Sequence, residues 1–225
     1  MSDLVYFHKS KLDALADKIN EKCGGGRALS LDEMVAKAED IRLIEMLESK
    51  TNLSHVFMQC TSNYCPLFKV NPQVTTVYQM FMNSKIKEIP ELDFSNITDM
   101  GYFATHSKVE KIKIKNTGKV NDVQFAFYNI TKCQEISLLD FTSVTNANKT
   151  FNYSSSIKEL RFVKNSIHIS ISFKSQCLLS AESVQSIIDG LATVTTAQTI
   201  TFHKSIALTD AQKQTINEKG WTLVQ

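Results

Sequence analysis

A chain of 225 residues is long enough to bury a sizeable core, and 43% hydrophobic with 21% charged residues describes a folded protein, not a disordered one. A net charge of +2 excludes a strong general pull toward nucleic acid or a membrane surface, and 7 Gly with 3 Pro exclude a collagen-like or linker-dominated chain. The 5 Cys contain no Cys-x-x-Cys pair, so buried reduced thiols are expected in place of a disulfide framework or a zinc site.

The opening stretch, MSDLVYFHKSKLDALADKIN, lacks a basic segment followed by an apolar run, and nowhere do apolar residues approach the roughly 18 of a membrane span. Neither a secretory signal peptide nor membrane insertion is expected. Residues 9 to 23 place Leu12, Leu15 and Ile19 on one helical face, and Gly24-Gly25-Gly26 ends that helix. Ser30-Leu31-Asp32-Glu33 then reads as a capping box opening a second helix, with Leu31, Met34, Ala38 and Ile41 as its apolar stripe. Two such helices have little to fold on alone. On their residues alone they either cap the open end of the remaining chain or meet copies of the same chain or a docking partner.

The central part of the chain is repetitive. LDFSNIT from Leu92 returns as LDFTSVT from Leu139, and Phe57, Phe81, Phe103, Phe127, Phe151 and Phe173 recur at intervals of 24, 22, 24, 24 and 22 residues. Val74, Ile97, Val120, Val144 and Ile167 stand six or seven residues before the last five, which suggests one short helical or 3₁₀ turn ending on each Phe. After each Phe comes an apolar-x-x-apolar segment whose offset of two predicts a strand, with Ile112/Ile114, Ile136/Leu138 and Leu160/Phe162 facing inward. Pro90 and Glu91 displace Leu92, so an irregular strand is expected there, and Ser62-x-x-Cys65-x-Leu67 is a candidate first unit. Asp93, Asn116 and Asp140 mark the corners, where an Asx side chain can take the amide two residues on. Such units cannot bury their own apolar faces; stacked, they form a continuous core and a parallel ladder over residues 51–178.

The end of the chain departs from the period. LLSAESVQSIIDGLATV predicts a longer helix capped by Ser180, with Val184, Ile187, Ile188 and Leu191 inward; TITFH supplies a strand; Thr209 to Gln212 is a second capping box, and Gly220 precedes WTLV. Residues 179–225 are therefore predicted to be an α/β capping unit.

The form IKELRFVKN, from Ile157 to Asn165, is that of leucine-rich repeats, and the corner LDFSNITDMGYF resembles their BspA-type variety. The resemblance spans about residues 55–178 and is clear in two units. It implies an α/β repeat fold: a short leucine-rich-repeat-like solenoid with a parallel strand ladder, a helical segment before it and an α/β cap after it. Proteins of this type are bacterial surface proteins and, frequently, proteins coded by phages and prophages. LDALADKINEKCGGG…LSLDEM likewise resembles the leader of phage and prophage virion proteins, with Cys23 as an extra residue, and this resemblance implies that residues 1–50 are a helical attachment or oligomerisation segment. Together these resemblances imply a non-enzymatic virion protein at a tail tip, tail fibre or head fibre. Its implied partners are other virion proteins, copies of itself as a homotrimer, and a host surface glycan. A bacterial surface adhesin is the alternative, and a glycan-degrading virion enzyme is a further one.

For chemistry the chain offers little. His8, His55, His106, His168 and His203 are dispersed, and no nucleophile elbow, HExxH, P-loop or GxGxxG occurs, so neither a metal nor another cofactor is expected. Asp93 and Asp140 recur as corners, not as a catalytic pair. Five Asn-x-Ser/Thr triplets read as turn chemistry. The outward strand positions are more informative: Lys111, Lys113 and Lys115, then Glu135 and Ser137, then Glu159 and Arg161, then Thr199, Thr201 and His203, expected to align in one ladder. Lys111, Lys113, Lys115 and Arg161 either contact an anionic glycan or form a solvated face paired with Glu88 and Glu135. Aromatic interleaving for nucleic acid is not expected, because the Phe residues are the inward markers.

Overall fold

The computed structural model describes the backbone of residues 31–225 and the side chains from residue 39 onward. The helix expected over residues 9 to 23, with Leu12, Leu15 and Ile19, lies outside the described residues, as do Ser30 and the side chains of Leu31, Met34 and Ala38. The chain divides into two units, Met1–Ser49 and Lys50–Gln225. In the first, helix α1 spans Leu31–Ser49, and Ile41 and Leu47 on it are buried.

The second unit is α/β and built on parallel ladders. Strands β1 (Glu88–Asp93), β2 (Lys111–Lys115), β3 (Glu135–Leu139) and β4 (Glu159–Phe162) form a four-stranded parallel sheet in chain order. β2, KIKIK, alternates strictly and buries Ile112 and Ile114. Register joins Ile89 to Ile112, Ile112 to Ile136 and Ile136 to Leu160, so one apolar residue per unit occupies the same place in the core.

Two strands carry a bulge, between Ile89 and Leu92 in β1 and between Ile136 and Leu139 in β3. The first is the irregularity expected at Pro90-Glu91. The second corrects the inward assignment of Leu138, which is 52% exposed, while Leu139 is buried in its stead. An extra residue shifts the alternation by one position, and one position turns a side chain to the opposite face. Ser137 bridges the gap in the ladder: its Oγ accepts from the Ile114 N–H at 2.9 Å and donates to the Ile114 carbonyl. Both bulged strands run into the duplicated LDF corners, whose Phe94 and Phe141 are buried.

At those corners Asp93 Oδ1 accepts from the Ser95 N–H at 2.9 Å, and Asp140 Oδ1 from the Thr142 N–H at 3.0 Å. Asn116 differs from that expectation. It sits in the left-handed region at φ 59°, opens a 3₁₀ turn over Thr117–Lys119, and donates its side-chain amide to Asp93 Oδ1 at 3.1 Å. Gly118 lies so near the next corner that a Cβ would come within 2.7 Å of the Asp140 carboxylate.

The returns are not helices. Each is a run of consecutive turns with left-handed residues four apart: Gln79 and Asn83, Tyr102 and His106, Phe125 and Asn129, Lys149 and Tyr153. Amides in such a ribbon alternate in direction. Those of Met80, Met82 and Ser84 reach the carbonyl three residues back, whereas Gln79, Phe81 and Asn83 donate to Gly101, Phe103 and Thr105 of the next unit at 2.8 to 3.0 Å. Past its first turn a helix keeps its amides inside itself and could not join neighbours this way. Left-handed backbone costs roughly 1–2 kcal/mol per ordinary residue, and these bonds offset it. On the remaining side, bridges link Thr76, Asp99, Asp122 and Asn146 in one row.

Within this frame Phe57, Phe81, Phe103, Phe127, Phe151 and Phe173 form one buried column, with successive ring centroids 5.1 to 6.4 Å apart. Phe202 extends it, 5.9 Å from Phe173. The candidate first unit is shifted: Cys65 is buried but Leu67 is 63% exposed, and Phe68 and Val70 turn inward. No strand forms there, since Pro66 cannot donate a ladder bond.

Strands β5 (Ile171–Phe173), β6 (Gln198–Phe202) and β7 (Trp221–Val224) make a second parallel sheet. Helix α2 (Ala181–Gly190) is capped by Ser180, and α3 (Asp210–Glu218) by the Thr209/Gln212 box. Val184, Ile187, Ile188 and Leu191 are buried. Helix α2 also closes the outer edge of β4: the Leu160 and Phe162 N–H groups donate to Ser183 Oγ and Ser186 Oγ, each at 3.0 Å. Gly220, at φ 83°, passes so near the Val194 carbonyl that any Cβ there would collide with it, a place only glycine fits.

Candidate ligand-binding surface

The strand face is charged but internally neutralised. Lys111 pairs with Glu135 on the next strand; Lys113 Nζ lies 2.6 Å from Glu88 and Lys115 Nζ 2.7 Å from Glu91 on the preceding strand; Arg161 reaches Glu159 on its own strand at 3.4 Å. Register sets Lys111 directly opposite Glu135, at the spacing of about 4.8 Å between adjacent strands, whereas Lys113 and Lys115 reach diagonally to Glu88 and Glu91 and Arg161 pairs within its own strand. The hydrogen bond from Lys113 holds the Glu88 carboxyl below its ordinary pKa and raises that of Lys113; Glu91 raises that of Lys115 in the same way. Each of these four residues thus has a glutamate partner, and Glu88 and Glu135 are among them. Thr199, Thr201 and His203 do not extend this face, since β6 belongs to the second sheet. Thr199 and Thr201 instead line a groove of about 370 Å³ with Asn148, Lys149, Ser170 and Lys174.

A second basic row lies at the rim where ribbon turns into strand. Lys85, Lys108 and Lys132 each immediately precede an inward residue of a strand segment, Ile86, Val109 or Cys133, in three successive units. The Lys85 N–H donates to the Cys60 carbonyl at 2.8 Å and the Lys108 N–H to the Ser84 carbonyl at 2.9 Å, which fixes their stacking. All three are exposed, and among the described residues none forms an ion pair. They line a groove of about 580 Å³ with Thr61, Ser62, Asn63 and the Lys87–Glu110 pair, the latter at 3.9 Å. Sequence reasoning did not gather these three lysines as a row. The signal was present: a hydroxyl residue followed by lysine, as Ser84-Lys85, Ser107-Lys108 and Thr131-Lys132, before three consecutive strand segments.

Aromatic residues are not confined to the core. On the outer side of the ribbons, partly exposed, Tyr78, Tyr102 and Phe125 follow one another at 5.7 and 4.8 Å, and Tyr128 meets Phe125, His106 and Tyr153 at 5.1 to 5.4 Å. Lys149 Nζ lies 5.4 Å from the centre of the Phe125 ring. These rings escaped notice because they occupy different offsets in different units. Their contacts are largely with each other, a second inter-unit ladder.

The carboxylates serve the backbone. Asp99 and Asp122 accept from the Gly101 and Gln124 amides at 2.8 Å, Thr76 Oγ1 donates to Asp99, and Asn146 Nδ2 to Asp122. Among the described residues no three His, Cys, Asp or Glu side chains gather as a metal site, and Cys60, Cys65, Cys133 and Cys177 are free thiols. Burial pushes the Cys65 and Cys133 thiols up to about 12, which keeps them protonated and unreactive near neutrality. No described helix is long and apolar enough to cross a membrane. No family model, curated protein or solved structure matches the chain.

Proposed function

We propose that the chain is a non-enzymatic binding protein: a short leucine-rich-repeat-like solenoid that presents columns of equivalent side chains to an extended partner. The observation that carries this reading is the parallel register of β1 to β4, which places the same outward position of successive units in a line. A solenoid uses such lines to hold long ligands. In this reading the protein is a virion component, at a tail tip, tail fibre or head fibre, that contacts the host surface. Residues 1–50 attach it to other virion proteins and associate it as a homotrimer through the stripes Leu12/Leu15/Ile19 and Leu31/Met34/Ala38/Ile41. The sequence resemblance of the leader and of the LDFSNIT corners supports that setting.

The test is quantitative mass spectrometry of purified particles induced from a host carrying the gene, with sedimentation of the isolated protein alongside. The chain should co-purify with particles in fixed stoichiometry and sediment as a trimer. Recovery only in the wall fraction of uninduced cells would transfer it to the surface-adhesin class.

A further inference from the structure

We propose that the groove lined by Lys85, Lys108 and Lys132 binds a linear acidic glycan, a polysaccharide or polyol polymer with a carboxylate or phosphate at regular intervals. This deepens the surface-binding reading and rests on it, but assigns the contact to a rim that the strand-face lysines do not share.

The argument is a contrast within one ladder. On the strand face, Lys111, Lys113 and Lys115 each meet a glutamate of an adjacent strand. At the rim the same stacking brings three lysines into line with no acidic partner among the described residues, in a groove whose one carboxylate, Glu110, is already paired with Lys87. Like charges at neighbouring ladder positions repel, at spacings of about 4.8 Å. A polyanion laid along the stack removes that repulsion and meets one ammonium per unit. Ammonium groups on flexible stems suit this, since they follow a charge without demanding a fixed fork geometry.

The rest of the lining chooses among polyanions. Thr61, Ser62 and Asn63 supply hydroxyl and amide groups, which match a hydroxyl-rich chain. Among the described residues no aromatic ring lines the groove. Single-stranded nucleic acid relies on stacking platforms, and the outer rings of this protein face one another, as Tyr102 and Phe125 do at 4.8 Å and 7°.

The experiment measures binding of the full chain to immobilised polygalacturonate, to a glycerol-phosphate polymer, to neutral dextran and to single-stranded DNA. Wild type is compared with K85Q/K108Q/K132Q, with K85R/K108R/K132R, and with the strand-face variant K111Q/K113Q/K115Q. Binding to one or both acidic polymers is expected, identifying carboxylate or phosphate as the preferred group, and dextran should not bind. The groove Gln variant should lose about tenfold or more, while the Arg and strand-face variants stay near wild type. Affinity should fall as salt shortens the Debye length from about 30 to about 3 Å. Equal losses in the two Gln variants, tighter binding to DNA than to either acidic polymer, or no binding by wild type would overturn the proposal. Particle association is read separately, so the virion reading and this one can fail independently.

Discussion

The repeat ladder, β1 to β4, and the C-terminal ladder, β5 to β7, share one phenylalanine column but close their backbones in opposite ways. In the repeat ladder the returns are ribbons of turns that pass every second amide to the following unit. Among the described residues, twelve non-glycine positions from His55 to Asn165 hold positive φ, and beyond Asn165 only Gly220 does. In the C-terminal ladder, helices α2 and α3 keep their hydrogen bonds internal and offer capped ends and hydroxyls. A ribbon requires a next copy, because its outward amides need acceptors. A helix does not. Propagation and termination of the stack are therefore distinct backbone chemistries laid over one hydrophobic core.

The largest effects should come from that core. Phe127→Ala and Phe202→Ala should each cost about 3–5 kcal/mol in denaturant unfolding, with a single transition, because both rings are fully buried in the same column. A small loss for Phe202→Ala alone would mean that the C-terminal ladder is packed independently. Next comes the closing edge. Ser183→Ala should cost about 1–3 kcal/mol, since it leaves the buried Leu160 N–H without an acceptor.

A smaller effect of opposite sign should appear in the ribbons. Gln59, exposed and at φ 57°, carries left-handed strain that asparagine tolerates better. Gln59→Asn should raise the unfolding midpoint by the equivalent of about 0.5–1 kcal/mol, and no equivalent gain is available in α2 or α3.

The weakest effects are electrostatic. Glu88, through Lys113, and Asp93, through Ser95 and Asn116, have carboxyls held below their ordinary values of 4.5 and 3.8. A depressed folded-state pKa contributes stability that is present above the ordinary value and lost as pH falls through the folded one. The repeat ladder should therefore soften slightly below about pH 4 in a urea titration, and the loss should be small because both groups are largely exposed. K111Q/K113Q/K115Q should leave the unfolding midpoint near wild type at neutral pH, as expected of surface pairs.

These contrasts differ in how far they could be read from the chain. The Phe period was legible because each unit must bury one ring at the same place, and the C-terminal caps because Ser180 and Thr209 stand at helix starts. The exchange of Leu138 for Leu139 was not legible: a bulge changes the face of a residue without changing its type. Nor were the ribbons, since Tyr102, Phe125 and Lys149 occupy left-handed positions that usually announce themselves as Gly or Asn. The basic rim was written as Ser/Thr-Lys before three strand segments. It passed unread because attention to alternation within strands looks past the residue that precedes them.

The difference between passing hydrogen bonds onward and ending them is measured most directly at the outer edge of β4. Amide hydrogen exchange on the wild type and on Ser183→Ala/Ser186→Ala should show the Leu160 and Phe162 amides slow in the first and at least about tenfold faster in the second. The ribbon amides of Phe81 and Asn83, which donate to Phe103 and Thr105, should keep their protection. Unchanged exchange at Leu160 and Phe162 would contradict closure by the serine hydroxyls of α2.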